Sequence, residues 1–172
     1  PYGAITRGFQ EIINRILGED ETGFNAWQHR IREHLESQGQ IIIDLLPDLE
    51  RVIGPQPTVP ELGPLAEKNR FLYVFNRFVQ SLTTAANPLI LLIDDIQWAD
   101  HFSMEVIRSI CLSDELNPMV LVLAFRDQEV GTDHPLVALL EEVNELQGAL
   151  SHETLLPLTQ TQTDQMVSQV LD

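Results

Sequence analysis

The run Leu89-Ile90-Leu91-Leu92-Ile93-Asp94-Asp95 constrains this chain more than any other stretch. Consecutive aliphatic residues without polar alternation describe a buried strand of a parallel sheet, covered by helices on both faces. Parallel neighbours need crossover connections, so the run calls for helices before and after it. Two carboxylates directly behind the strand fall at the carboxyl edge of the sheet, where α/β proteins place their ligands. A hard cation such as Mg²⁺ takes oxygen ligands, usually one or two carboxylates with water and phosphate completing the shell. Asp94 and Asp95 therefore read as the metal-holding half of a nucleotide site. The plainer alternative is a buried strand that ends in two solvated acids.

The rest of the chain supplies the helices. Ala4, Ile5, Phe9, Ile12, Ile13 and Ile16 recur at helical spacing up to Gly18. Phe24, Trp27, Ile31 and Leu35 predict a second helix over 24–37. Shorter turns over 41–46 and 49–53 follow, then the Pro-rich bend Gly54-Pro55-Gln56-Pro57-Thr58-Val59-Pro60. A long helix is expected over 65–85, opened by Pro64 and closed by Asn87-Pro88, with a Phe71, Leu72, Phe75, Phe78, Val79 and Leu82 stripe facing a sheet. The second half changes rhythm: strand 89–93, helix 103–112, a break at Asn117-Pro118, strand 119–125, helix 135–146, a short strand near Thr154–Leu156, and a last helix whose Thr161 and Asp164 have capping-box spacing. Strands alternating with helices make right-handed βαβ units.

Composition narrows the function classes. Ten Lys+Arg against 26 Asp+Glu give a formal charge of −16. So acidic a surface repels nucleic acid and anionic membrane, and neither is expected as a partner. The longest apolar run is far below the ~20 residues of a membrane span. No signal peptide opens the chain, and Cys111 as sole cysteine fits a reducing, cytoplasmic compartment as a buried structural thiol. The start at Pro1-Tyr2, without methionine, reads as a piece of a longer protein.

Arg126 is the second element of the constellation. It follows strand 119–125 in Ala124-Phe125-Arg126-Asp127, so a neighbouring parallel strand brings its guanidinium toward Asp94 and Asp95. An Arg so placed can sense or stabilise a terminal phosphate; the alternative is an ion pair to Asp127 or Asp95. Only Arg108 and Arg126 are basic after Arg77. A third element is missing from these residues. A phosphate-gripping loop needs a glycine-rich turn followed by Gly-Lys-Ser/Thr, and the only lysine, Lys68, lies between Glu67 and Asn69. It reads as a solvated helix residue. His29, His34 and His101 lack zinc-type spacing, and histidine suits softer metals than Mg²⁺.

Leu91-Leu92-Ile93-Asp94-Asp95-Ile96-Gln97-Trp98-Ala99-Asp100, with Ala124-Phe125-Arg126-Asp127 about thirty residues on, resembles the AAA-related STAND signal-transduction NTPases. The likeness is sharpest to the NTPase module of large bacterial sensor kinases. There it lies between a serine/threonine-kinase-like domain and GAF plus histidine-kinase domains of two-component systems. Pro1-Tyr2, Gly54-Pro55-Gln56-Pro57, Asn69-Arg70-Phe71 and His134-Pro135-Leu136 carry the resemblance over most of the chain. It implies a partial P-loop-NTPase fold: a three-layer α/β parallel sheet from the Walker B strand onward. A helical region over 1–86 would precede a Walker B/sensor core over 87–172, within one partial domain. Asp94 matches the Mg²⁺-binding Walker B acid, Asp95 the catalytic or switch acid, and Arg126 the sensor arginine. ATP and Mg²⁺ are the cofactors implied for the intact protein, and none is expected on these residues alone. The implied partners are the kinase and sensor domains of the same polypeptide.

Two other classes compete. A phosphoacceptor receiver domain also starts its Mg²⁺ site with two acids after an aliphatic strand, but it needs a further strand-end Asp and a late Lys, which are missing here. A scaffold for protein interaction, with Asp94 and Asp95 binding nothing, is the other. In the resembled strand order, the P-loop strand lies between strand 119–125 and the one near Thr154. Its loss exposes sheet edges and predicts a homodimer or domain swap.

Overall fold

A computed structural model describes residues 3–84, 88–113, 119–147 and 150–171. The Asn117-Pro118 break and Asn87 lie outside the described residues. The first half is helical: Gly3–Leu17 (α1), Glu21–Leu35 (α2), Gly39–Ile43 (α3), Leu49–Ile53 (α4) and Pro64–Leu82 (α5). The second half alternates Leu89–Ile93 (β1), His101–Cys111 (α6), Met119–Leu123 (β2), Pro135–Gln147 (α7) and Gln160–Leu171 (α8). Among the described residues the sheet has two strands, paired in parallel from Leu89↔Met119 to Ile93↔Leu123. This is a partial α/β P-loop-NTPase-like fold with a helical front half.

Local chemistry explains the helix boundaries. Asp20 caps α2 by accepting the Gly23 amide at 2.8 Å. Pro64 begins α5, where its missing N–H costs nothing. Gly54, at φ 74°, closes α4 in a conformation that glycine alone adopts without strain. The exposed carbonyls at that helix end are then met from α2. Arg32 donates Nε and Nη2 to the Ile53 carbonyl at 2.8 and 2.6 Å, and Gln28 donates to the Val52 carbonyl at 2.5 Å. A guanidinium at a helix C-terminus also suits the helix dipole.

The core joins the helical half to β1. Ile5, Phe9, Ile13 and Ile16 of α1 are buried with Phe75, Phe78 and Val79 of α5. Phe9 meets Phe75 edge-on at 5.2 Å between ring centroids and Phe78 at 5.8 Å. The apolar stripe of α5 therefore faces other helices, α1 through Phe9 and also α2, α3 and α6, where a sheet was expected; α1 also packs on β1. Gly8 makes that approach possible, since a Cβ there would stand 3.2 Å from the Leu91 Cδ1.

Three further expectations change. The strand near Thr154–Leu156 does not form: residues 150–159 have no regular structure, and Leu155 and Leu156 are 93% and 82% exposed. The capping box of the last helix is Thr159/Gln162, not Thr161/Asp164. Gln162 Oε1 accepts the Thr159 amide at 2.8 Å, and Thr159 Oγ1 accepts the Gln162 amide at 3.4 Å. Lys68 is half-buried and pairs with Glu105 at 2.6 Å, and this contact holds the Glu105 carboxyl below its usual range.

Strand β1 is covered on one face only. Leu91 and Ile93 are buried, whereas Ile90, Leu92, Val120 and Val122 leave the opposite face of the sheet open. Replacing Leu91 by Ala should cost about 2–5 kcal/mol through the cavity it leaves beneath α1. The neighbouring Leu92→Ala should cost less than about 1 kcal/mol. Urea unfolding of the two variants compares them directly, and equal losses would mean that the open face is packed.

Candidate functional site

The register of β1 and β2 builds the site. Past the strands the ladder continues into both loops: the Ala124 amide donates to the Ile93 carbonyl at 2.9 Å, and the Ile96 amide to the Ala124 carbonyl at 3.1 Å. Asp94-Asp95 and Arg126 thereby leave the same edge of the sheet side by side. Arg126 Nε lies 3.3 Å from Asp95 Oδ1, the ion pair expected of two adjacent parallel strands. Asp94 is exposed, and its Oδ1 accepts the Asp95 amide at 2.9 Å.

Asp95 turns the chain sharply. It sits at φ 51°, ψ 40°, the left-handed region that Asp and Asn tolerate better than most residues. The 3-10 turn Ile96–Trp98 follows, and Trp98, 64% exposed, receives the Arg126 guanidinium 5.2 Å above its ring centroid. Asp100 then starts α6. Its two carboxylate oxygens accept the Ser103 amide at 2.9 Å and the Ser103 hydroxyl at 3.1 Å. The final acid of the Trp-Ala-Asp loop thus makes a helix cap.

Three residues that sequence reasoning passed over complete the surroundings. Gln97 donates its Nε2 to Asp95 Oδ1 at 3.0 Å and to Glu129 Oε2 at 3.2 Å. Glu129 also accepts from Arg126 Nη1 at 3.2 Å. His134 accepts the Leu136 amide on Nδ1 at 3.1 Å, so its proton sits on Nε2 and is donated to the Gln97 carbonyl at 3.1 Å. Gln97 and His134 lie within motifs that carry the family resemblance, and for Glu129 the available signal was spacing, three residues after Arg126 on the 3-10 turn Asp127–Glu129. Of the two acids offered for an Arg126 ion pair, Asp127 and Asp95, the structure shows the pair with Asp95, and the turn adds Glu129 as a second partner.

Other candidates keep their plain roles. Among the described residues no group of three or more His, Cys, Asp or Glu could hold a metal ion. Phe75 and Phe78 are core, and Phe24, Trp27 and Phe71 pack against it. Cys111 is half-buried, and burial pushes its thiol up to about 11, the opposite of an activated nucleophile. No helix of the described residues is long and apolar enough to cross a membrane.

A family model for the AAA ATPase domain matches residues 1–123. The chain belongs to that family. It is also 30% identical over 108 residues to hybrid signal transduction histidine kinase G of Dictyostelium discoideum, covering 63% of this chain and 3% of that protein. These residues thus span a small part of the curated relative's length, within a protein whose name marks it as a signalling kinase. No solved structure matches the chain significantly.

The helix-start role of Asp100 has a measurable consequence. Asp100→Ala should lower stability by about 1 kcal/mol, and Asp100→Asn by much less, because asparagine caps about as well as aspartate. Thermal unfolding of both variants tests this; equal losses would mean that the charge and not the cap matters.

Proposed function

We propose that this chain is the Walker B and sensor part of an ATP-binding regulatory NTPase module, of STAND type, in a multidomain cytoplasmic signalling kinase of the kind found in bacterial two-component systems. Asp94 would hold Mg²⁺, Asp95 would act as the catalytic or switch acid, and Arg126 would read the terminal phosphate. The observation that carries this reading is the parallel register of β1 and β2, which brings Asp94-Asp95 and Arg126 out of the same edge of the sheet. It puts one cation and the acid pair where a bound triphosphate could engage both.

The donor set suits Mg²⁺ as a shared ligand only. Asp94 is exposed and keeps one carboxylate oxygen beyond its contact with the Asp95 amide. Asp95 Oδ1 is already shared by Gln97 and Arg126. Mg²⁺ commonly binds through one or two carboxylates with nucleotide phosphates completing its shell. When bound, the ion would neutralise phosphate charge; orientation of the acids is the work of the backbone turn at Asp95.

In the intact protein, Mg-ATP should bind, and Asp94→Asn should weaken it at least tenfold by calorimetry. These 172 residues, lacking a Gly-Lys-Ser/Thr loop, should bind Mg-ATP no tighter than millimolar, and micromolar affinity would sink that part of the reading. The scaffold alternative draws on one observation, that Arg126 is already satisfied by Asp95 and Glu129. An intact protein that ignores ATP, with signalling unchanged by Asp94→Asn, would favour it.

The open sheet face and, among the described residues, the unpaired outer edges of β1 and β2 support association, either with the remaining kinase and sensor domains or with a second copy. Ile90, Leu92, Val120 and Val122 are each more than two-fifths exposed. Sedimentation velocity on these residues should show self-association that rises with concentration and weakens when Leu92 is replaced by Lys. A monomer at every concentration would count against it.

A further inference from the structure

Asp95, Arg126, Glu129 and Gln97 form a ring of three hydrogen bonds closed by the Arg126–Asp95 ion pair. Arg126 Nε meets Asp95 Oδ1 at 3.3 Å, and Arg126 Nη1 meets Glu129 Oε1 at 3.2 Å. Across the ring, Gln97 Nε2 bridges Asp95 Oδ1 and Glu129 Oε2 at 3.0 and 3.2 Å. The amide orientation is fixed by its neighbours, since the reverse would set an oxygen against two carboxylates. Gln97 is 7% exposed, and its Oε1 is buried without a hydrogen-bond partner. A buried, half-satisfied amide is costly, so its place in the ring is held by the structure around it. That hold includes the His134 Nε2 donation to the Gln97 carbonyl at 3.1 Å.

We propose that Gln97 and Glu129 are positioning residues that park Arg126 against Trp98, and that Glu129 is the group a terminal phosphate displaces. This rests on the reading of Arg126 as a phosphate sensor. The guanidinium donates Nη1 to Glu129, stands in an ion pair with Asp95, and lays its face over Trp98. A phosphate that takes Arg126 in a two-pronged contact exchanges carboxylate oxygens for its own. Glu129, which is exposed, then keeps its bond from Gln97 and returns its freed oxygen to water. The His134 contact extends the ring to the first turn of α7, because the same imidazole accepts the Leu136 amide. The ligand class is a polyphosphate carried with a divalent cation, and the response is release of Arg126 from Trp98.

The test uses the 172-residue chain with Trp27→Phe, which leaves Trp98 as the sole tryptophan. Inorganic tripolyphosphate with Mg²⁺ is titrated into the millimolar range at constant ionic strength. Trp98 fluorescence is followed, with a Mg²⁺-only series subtracted. Glu129→Gln keeps the shape and removes the charge of an exposed pair, so the half-effect concentration should fall about two- to fivefold. Arg126→Gln should abolish the response. Equal half-effect concentrations with and without Glu129→Gln overturn the displacement by phosphate while leaving Arg126 as a phosphate contact. No response in either form overturns this proposal, whereas the sensor reading itself falls if Arg126→Gln leaves Mg-ATP binding by the intact protein unchanged. A merely structural Glu129 would alter unfolding and leave the titration unchanged.

Discussion

Everything around the site depends on the parallel pairing of β1 with β2. Its register, Leu89↔Met119 through Ile93↔Leu123, decides which loop residues meet beyond the carboxyl edge. The pairing runs on through the Ala124 and Ile96 amides, so the two loops are tied to each other before any side chain is considered. A slip of one residue would exchange the buried and open faces of the strands and separate Asp95 from Arg126. The ion pair is therefore a consequence of the sheet and contributes little to holding it; an exposed pair of this kind is worth at most about 1 kcal/mol.

The register is held from one side. Helix α1 presses on β1 at Gly8, and α1 is anchored through Phe9 to the aromatic cluster of α5. The acid loop is fixed in turn by Ile96, fully buried, and by the Asp100 cap on α6. Burial is thus concentrated behind the site, and the front face of the strands is left apolar and open.

What the sequence made legible follows from how local each signal is. The strand, the acids and Arg126 could be read because an uninterrupted aliphatic run and the residue after a strand are statements about neighbours in the chain. The α5 stripe was visible, but whether it meets a sheet or helices is decided by α1 and α2, far away in sequence. Thr154–Leu156 has strand-like composition, yet a strand exists only with a partner, and no described strand pairs with it. Glu129 was passed over because its role needs the 3-10 turn that swings it over Arg126. Gln97 looks like a polar residue in a loop; only burial and two carboxylate partners give it meaning.

Charge decides what kind of site this arrangement can be. Arg126 is the only Lys or Arg after Arg108; Asp127 and Glu129 follow it in the chain, and Asp95 meets it from the neighbouring strand. With −16 on the whole chain, a bare polyphosphate is repelled, and a divalent cation is needed to bring it in. Arg126 already has carboxylate partners, so a phosphate arriving there makes an exchange of anions, with a small net gain. A site built for tight binding would leave its cation free and its acids apart. One built to report occupancy would tie its cation to a neighbour that feels the loss, and under the proposed reading Glu129, linked through Gln97 and His134 to the start of α7, would be that neighbour.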